Sequence, residues 1–169
     1  MRSGSMSRCL MLLFLAGMVS ACQTTKETGS EAPQGPANSA FIGLSDYIKA
    51  EGLGPPENMG YVSARCASLN SITAVVQRNQ GNDEAYEVFN ERSIIWIDAA
   101  RRIHADALKL GETAPEVVAQ VRDEMSHSRE NYMSRLVDSA AADSPAGDEF
   151  FKNDMQVCEY LREAFNLKA

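Results

Sequence analysis

The sequence predicts an all-α protein arranged as an up-down-up-down four-helix bundle. Four long segments carry apolar residues at alternating spacings of three and four, which places those residues on one face of a helix. Short stretches rich in Gly, Pro, Asn and Asp separate these segments, and no stretch shows the sustained alternation of a β-strand. Because long helices joined by short connections pack antiparallel to their neighbours, the up-down-up-down arrangement follows.

A short amphipathic helix is predicted ahead of the four long ones. Phe41, Leu44 and Ile48 share one face of this segment. That face either packs on the bundle or is presented to a partner, and packing is the favoured interpretation. A stiff turn is expected to end the helix at Gly52, Gly54, Pro55 and Pro56.

The first two long helices are predicted over residues 58–78 and 83–110. Asn82 is expected to be the N-cap of the second helix and Gly111 its C′ residue. The predicted apolar faces comprise Val62, Cys66, Leu69, Ile72 and Val76 in the first helix, and Phe89, Trp96, Ala100, Ile103, Ala107 and Leu110 in the second.

The last two long helices are predicted over residues 114–141 and over a segment that begins at Pro145 or Gly147 and ends at Phe165. A T-x-x-E capping box at Thr113 indicates where the first of them begins. The predicted apolar faces comprise Val117, Val121, Met125, Tyr132 and Leu136 in one helix, and Phe151, Cys158, Leu161 and Phe165 in the other, with Met155 beside them.

The first 22 residues have the order of segments found in a secretory signal. Arg2 and Arg8 supply positive charge, and residues 9–19 form an apolar run that is too short to span a membrane, which takes about 20 residues. This sequence resembles the lipobox of bacterial lipoprotein signal peptides, in which a peptidase cuts before a cysteine that carries diacylglycerol. The residues that carry the resemblance are Val19-Ser20-Ala21-Cys22.

The resemblance covers residues 1–22 and implies that Cys22 becomes the first residue of the mature chain. A thioether-linked diacylglycerol and an N-acyl chain would hold the protein on the membrane, since each buried CH₂ contributes about 0.8 kcal/mol. Gln23 stands where an aspartate commonly signals retention in the inner membrane. The resemblance therefore favours the outer membrane, facing the periplasm. The alternatives are an ordinary signal peptide or a short buried helix.

Three segments are expected: a signal peptide over residues 1–21, a lipidated flexible tether over 22–40 and a single helical domain over 41–169. The tether is too polar to fold alone, and as a coil it would span about 25 Å. Removal of Arg2 and Arg8 leaves 14 basic and 23 acidic residues, a formal charge of −9. This balance argues against a nucleic-acid partner.

The four cysteines divide by position. Cys9 is removed with the signal and Cys22 takes the lipid, which leaves Cys66 and Cys158 in an oxidising compartment. In the predicted bundle both lie on apolar faces at about 12 Å from the same end. A disulfide is therefore predicted, with two free buried thiols as the alternative.

No enzyme, metal site or cofactor is predicted. Glu124 and His127 form one E-x-x-H motif, whereas a di-iron bundle uses two such motifs and two further glutamates. The other histidine, His104, is preceded at the equivalent position by Arg101. The sequence also lacks a CxxC and the nucleophile-elbow, phosphate-loop, dinucleotide and zinc-protease motifs.

One polar side chain, Asp154, lies on the expected core face of the last helix. Asp98, Arg101 and His104 lie at comparable heights on the second long helix. One interpretation is a buried polar cluster of these four residues, which would be a candidate site because perturbed carboxylates in clefts often carry function. The favoured interpretation is an ion pair at the edge of the apolar face.

The sequence therefore predicts a lipid-anchored envelope protein that acts as a non-enzymatic interaction or assembly module for a protein partner. The alternative is a helical bundle that carries a small apolar ligand in the periplasm. A cavity among Trp96, Met125 and Phe151 would favour the carrier. A solid core with an exposed apolar groove would favour the interaction module.

Overall fold

The computed structural model describes residues 41–138 and 148–168. These residues form five α-helices and no strand, which confirms the all-helical class: α1 (Leu44–Glu51), α2 (Pro56–Asn79), α3 (Asp83–Leu108), α4 (Pro115–Asp138) and α5 (Glu149–Ala164). The predicted signal peptide, the lipidation site Cys22, the tether over 22–40 and the predicted start of the last helix at Pro145 or Gly147 lie outside the described residues.

Local sequence explains several helix ends. The Asn82 side chain caps α3 by accepting a hydrogen bond from a backbone N–H three residues later, as predicted. Asp148 caps α5 in the same way. The end of α3 differs from the prediction, because Lys109 rather than Gly111 takes the left-handed conformation, with φ of 56°. α2 begins at Pro56, since a proline lacks the N–H that the first helical turn leaves unpaired.

The central helix is α2, which contacts α3, α4 and α5. Every residue from 62 to 70 is buried, and four of these nine are Ala or Ser. Such small side chains let neighbouring helices approach on more than one side. α2 therefore has a buried middle in place of the single apolar face that its sequence predicts.

The predicted core is largely correct. Leu110 and Phe165 are exceptions, because they are 44% and 46% exposed at or beyond the ends of α3 and α5. Among the predicted core residues, those found buried include Val62, Cys66, Leu69, Ile72, Trp96, Val117, Val121, Tyr132, Leu136, Phe151, Cys158 and Leu161.

A disulfide between Cys66 and Cys158 joins α2 to α5, as predicted, with the two Cα atoms 5.5 Å apart. The bridge lies within the main apolar cluster, because both cysteines are buried there. None of the described helices is long and apolar enough to cross a membrane.

Candidate functional site

A buried polar arrangement joins three of the described helices. Arg65 of α2 donates from Nη2 to Asp154 Oδ2 of α5 at 2.6 Å, and both side chains are almost completely buried. Tyr132 of α4 donates its hydroxyl to the same carboxylate oxygen at 2.5 Å and accepts hydrogen bonds from Arg65 Nε and Nη2. We call these three residues the N-terminal clamp, because they also bind the start of the described chain.

The clamp holds residues 41–44 through main-chain groups. Leu44 N–H donates to Asp154 Oδ1 at 2.6 Å, and Arg65 Nη1 donates to the Ile42 carbonyl at 2.9 Å. The Phe41 ring lies with its centroid 4.1 Å from the guanidinium carbon of Arg65, within cation–π range. The segment that leads into α1 is therefore fixed to the interior by a buried ion pair.

In the clamp, burial and hydrogen bonding have opposite effects on the pKa of Asp154. Burial raises the pKa of Asp154, while Arg65, the Tyr132 hydroxyl and Leu44 N–H act against that increase. Burial also raises the pKa of Tyr132 well above its usual value of 10.0. The Asp154 carboxylate accepts three hydrogen bonds from within the protein, so the arrangement is suited to holding structure.

A second buried pair lies between α3 and α4. His104 Nε2 is 2.9 Å from Glu124 Oε2, and Gln120 donates to the other carboxylate oxygen at 2.6 Å. The His104 ring packs against Gly60 of α2, where an added Cβ would lie 2.5 Å from Nε2. Glycine at this position therefore makes room for the imidazole. Within the described part of the chain, no group of three or more His, Cys, Asp or Glu side chains is placed to hold a metal ion.

An open groove lies between α2, α3 and the residues that follow α5. Its volume is about 310 Å³. Trp96 is buried in its floor, and the buried Ser63 hydroxyl has no hydrogen-bond partner among the described residues. We call it the Trp96 groove; its lining comprises Met59, Ser63, Trp96, Ala99, Arg102, Ile103, Phe165 and Leu167.

The structure distributes the four residues of the predicted polar cluster among three settings. Asp154 binds Arg65 and Tyr132 in the clamp, and His104 pairs with Glu124. Asp98 and Arg101 approach each other to 4.0 Å, with side chains 56% and 39% exposed. The four-residue cluster is thus replaced by separate pairs, because Asp154 and His104 each find a partner that the prediction did not include.

The E-x-x-H motif is also split. Glu124 is buried, whereas His127 is exposed and is contacted by Asn131 one turn later on α4. Residues three apart on a helix are neighbours, but here they fall on either side of the edge of the buried face.

Arg65 and Ser63 are the residues that the sequence interpretation missed. A signal for Arg65 exists, because it is the only charged residue between 58 and 77. A lone charge in the middle of an apolar helix needs a buried partner of opposite sign. Asp154, a residue of opposite charge on the apolar face of another helix, is such a partner. No sequence signal distinguishes Ser63 from the neighbouring serines of α2.

Comparison of the chain with protein-family models, curated proteins and solved structures finds no match. The clamp and the groove are therefore interpreted from their own chemistry.

Proposed function

We propose that the chain is a lipid-anchored protein of a bacterial cell envelope that binds a partner protein as a non-enzymatic interaction or assembly module. The observation that carries the proposal is the N-terminal clamp. Residues 41–44 follow directly on the predicted tether, and buried hydrogen bonds attach them to Arg65 and Asp154. Force or motion transmitted along a membrane tether would reach the helical domain through these bonds.

The disulfide supports the predicted export from the cytoplasm. Structural disulfides persist in oxidising compartments such as the periplasm and are rare in reducing ones. The Cys66–Cys158 bridge is buried and joins two helices, which is typical of a structural disulfide. The lipobox-like sequence and the bridge thus favour the same compartment, and the identity of the residue after Cys22 favours the outer membrane.

Residues 41–169 form one domain in this proposal, an up-down-up-down bundle of α2 to α5 with α1 as a short amphipathic helix packed on it. Contacts between α2 and α3 run in opposite directions along the two helices, and contacts between α2 and α4 run in the same direction. This pattern supports the arrangement; the pairs are Gly60–His104 and Ala67–Ser93 for α2 and α3, and Ser68–Met125 and Ser71–Arg129 for α2 and α4.

The anchor is tested by fractionating cells that produce the Cys22→Ala variant. We expect the unaltered protein in the outer-membrane fraction with acyl chains on Cys22 by mass spectrometry, and the variant without them. Gln23→Asp is the matched control, because it keeps the acylated cysteine and should move the protein to the inner membrane. Unmodified Cys22 in membrane-bound protein would contradict the anchor.

The partner is tested by photo-crosslinking in intact cells. A photoreactive residue is placed at Val137 or Tyr160, which are 72% and 70% exposed although apolar or aromatic. We expect a discrete adduct with one envelope protein from at least one of these positions. The same residue at the exposed, polar Glu112 is the control. Absence of any specific adduct would count against the interaction module.

The Trp96 groove favours a second candidate function, the carriage of a small apolar ligand. Its volume of about 310 Å³ is at the lower end of the range for small-molecule sites, roughly 300–1,000 Å³. Trp96 and Phe151 belong to the packed core, so the ligand would occupy the open groove that Trp96 lines. Binding of a small molecule that changes Trp96 fluorescence would support this function.

A further inference from the structure

We propose that the Trp96 groove binds a small anionic amphiphile, a molecule with one apolar chain or ring and one carboxylate or similar acidic group. The inference rests on the second candidate function and specifies the chemical class of its ligand. Three properties of the groove support it: an unpaired buried donor, a cation in the lining and an apolar floor.

The unpaired donor is Ser63. Its side chain is 1% exposed, lines the groove and makes no hydrogen bond among the described residues. Two other buried serines do find partners, since Ser68 donates to two carbonyls and Ser93 to one. Ser128 is also buried without a partner among the described residues, but it does not line the groove. A buried hydroxyl without a partner costs free energy, which a ligand oxygen at this position would recover.

The cation is Arg102, which is the only charged residue among the described residues that line the groove. Its Nε donates to the backbone carbonyl of Asp98 at 3.4 Å, and no described carboxylate lies within ion-pair distance of its guanidinium group. The neighbouring Arg101, by contrast, approaches the Asp98 carboxylate. The Arg102 guanidinium can only donate hydrogen bonds and the Ser63 hydroxyl has a proton to donate, so their presence in one lining favours an acceptor-rich acidic group.

The remaining lining binds the apolar part of the ligand. Met59, Ile103 and Phe165 contribute side chains around the Trp96 ring. Phe165 is 46% exposed, so a bound chain would cover apolar surface that now faces water. The volume of the groove equals about ten water molecules at roughly 30 Å³ each, which suits a chain of medium length.

Decanoate is a suitable probe, and Trp96 reports its binding because it is the only tryptophan in the chain. The full chain carrying Cys22→Ala, which removes the proposed acylation site, is titrated with decanoate below its micelle concentration. Decanol and decyltrimethylammonium provide neutral and cationic head groups on the same chain. We expect saturable changes in Trp96 emission, with decanoate at least fivefold tighter than either, and a preference that weakens in high salt.

Two variants and one matched control locate the interaction. Arg102→Gln should weaken decanoate binding about fivefold and leave decanol unchanged, since an exposed charge pair contributes up to about a factor of five. Ser63→Ala should weaken decanoate binding by a similar factor. Arg101→Gln should leave binding unchanged, because Arg101 does not line the groove. Circular dichroism confirms that each variant is folded.

The outcomes separate this inference from the function on which it rests. Equal affinity for decanoate and decanol would overturn the anionic class and leave the carrier function standing. No change of Trp96 emission with any of the three probes would overturn both. A response to phosphatidylglycerol vesicles without a response to decanoate would assign the groove to a membrane lipid and would overturn binding of a free amphiphile.

Discussion

The N-terminal clamp and the Trp96 groove each contain a buried polar residue of α2, and the two residues differ in whether the protein supplies a hydrogen-bond partner. Arg65 and Ser63 are two positions apart on α2, so they point in different directions. Arg65 pairs with Asp154 and Tyr132, and the partners of all three come from the protein itself. The Ser63 hydroxyl has no partner within the described part of the chain and lines an open groove. The first arrangement fixes structure, and the second leaves a binding position for another molecule.

The clamp contributes specificity more than stability. Removing two charges from water costs several kcal/mol per ion, and their mutual attraction does little more than offset that cost. The pair also binds residues 41–44, since Asp154 accepts from the Leu44 N–H and Arg65 donates to the Ile42 carbonyl. The Ser63 hydroxyl of the groove makes no comparable bond among the described residues, which is consistent with a role in binding.

The largest effect is expected from breaking the clamp. Arg65→Met leaves the Asp154 carboxylate buried without its cation, which should lower the free energy of unfolding by about 3–5 kcal/mol in urea denaturation. Arg65→Met combined with Asp154→Leu should recover most of that loss. Lys49→Met, which removes an exposed ion pair with Asp46, is the control and should have little effect. A double variant no better than the single one would contradict this account.

The disulfide lies beside the clamp, because Cys66 follows Arg65 and Cys158 is one turn after Asp154. Replacing both cysteines with serine should lower the free energy of unfolding by about 2–5 kcal/mol, with about 4.6 kcal/mol from the chain-entropy estimate for a separation of 92 residues. The same urea measurement under non-reducing conditions tests it. Two thiols that react with an alkylating reagent in the unreduced, unfolded protein would show that the bridge is absent.

Alkaline pH should unfold the clamp region. Burial raises the pKa of Tyr47 to about 12 and that of Tyr132 well above 10.0, so the unfolded chain releases these protons first. The stabilisation is complete below about pH 10 and is lost as the pH rises through the folded-state values. We expect a cooperative increase in tyrosinate absorbance that coincides with loss of helix. Gradual ionisation of all five tyrosines in a folded protein would contradict this prediction.

The smallest effect is expected in the groove. Ser63→Ala removes an unpaired hydroxyl and should leave the free energy of unfolding unchanged or slightly higher. Ser93→Ala is the matched variant, because the Ser93 hydroxyl donates to the Ala67 carbonyl at 3.0 Å. It should cost about 1 kcal/mol. Equal losses in the two variants would show that the Ser63 hydroxyl has a partner in the free protein.

The sequence was sufficient for the helices and for one of their long-range connections. Apolar spacing and turn residues identify the four long helices to within a few positions, and Asn82 identifies the start of α3. The Cys66–Cys158 bridge follows from counting cysteines and from comparing their positions along the helices. Each of these inferences depends on a local sequence pattern or on the even number of cysteines that remain after Cys9 and Cys22 are assigned.

The same local patterns do not predict which residues pair with each other in the buried polar sites. The sequence indicates that Asp154 is a polar residue on a core face, but its predicted partners follow from height along the bundle alone. Height does not determine how each helix is rotated about its axis, and rotation decides that Arg65 rather than His104 faces Asp154. The groove was also unpredictable, because it exists where α5 ends early and leaves Phe165 outside the core.

The central claim is that the clamp fixes the segment through which a membrane tether would hold this domain. The amide of Leu44 tests it most directly. Leu44 is the first residue of α1, where a helix supplies no acceptor, so its N–H is protected from hydrogen exchange only by Asp154.

We expect the Leu44 amide to exchange as slowly as that of Leu69 in the core, and to exchange rapidly in the Arg65→Met, Asp154→Leu variant while Leu69 stays protected. Rapid exchange of the Leu44 amide in the unaltered protein would contradict the clamp.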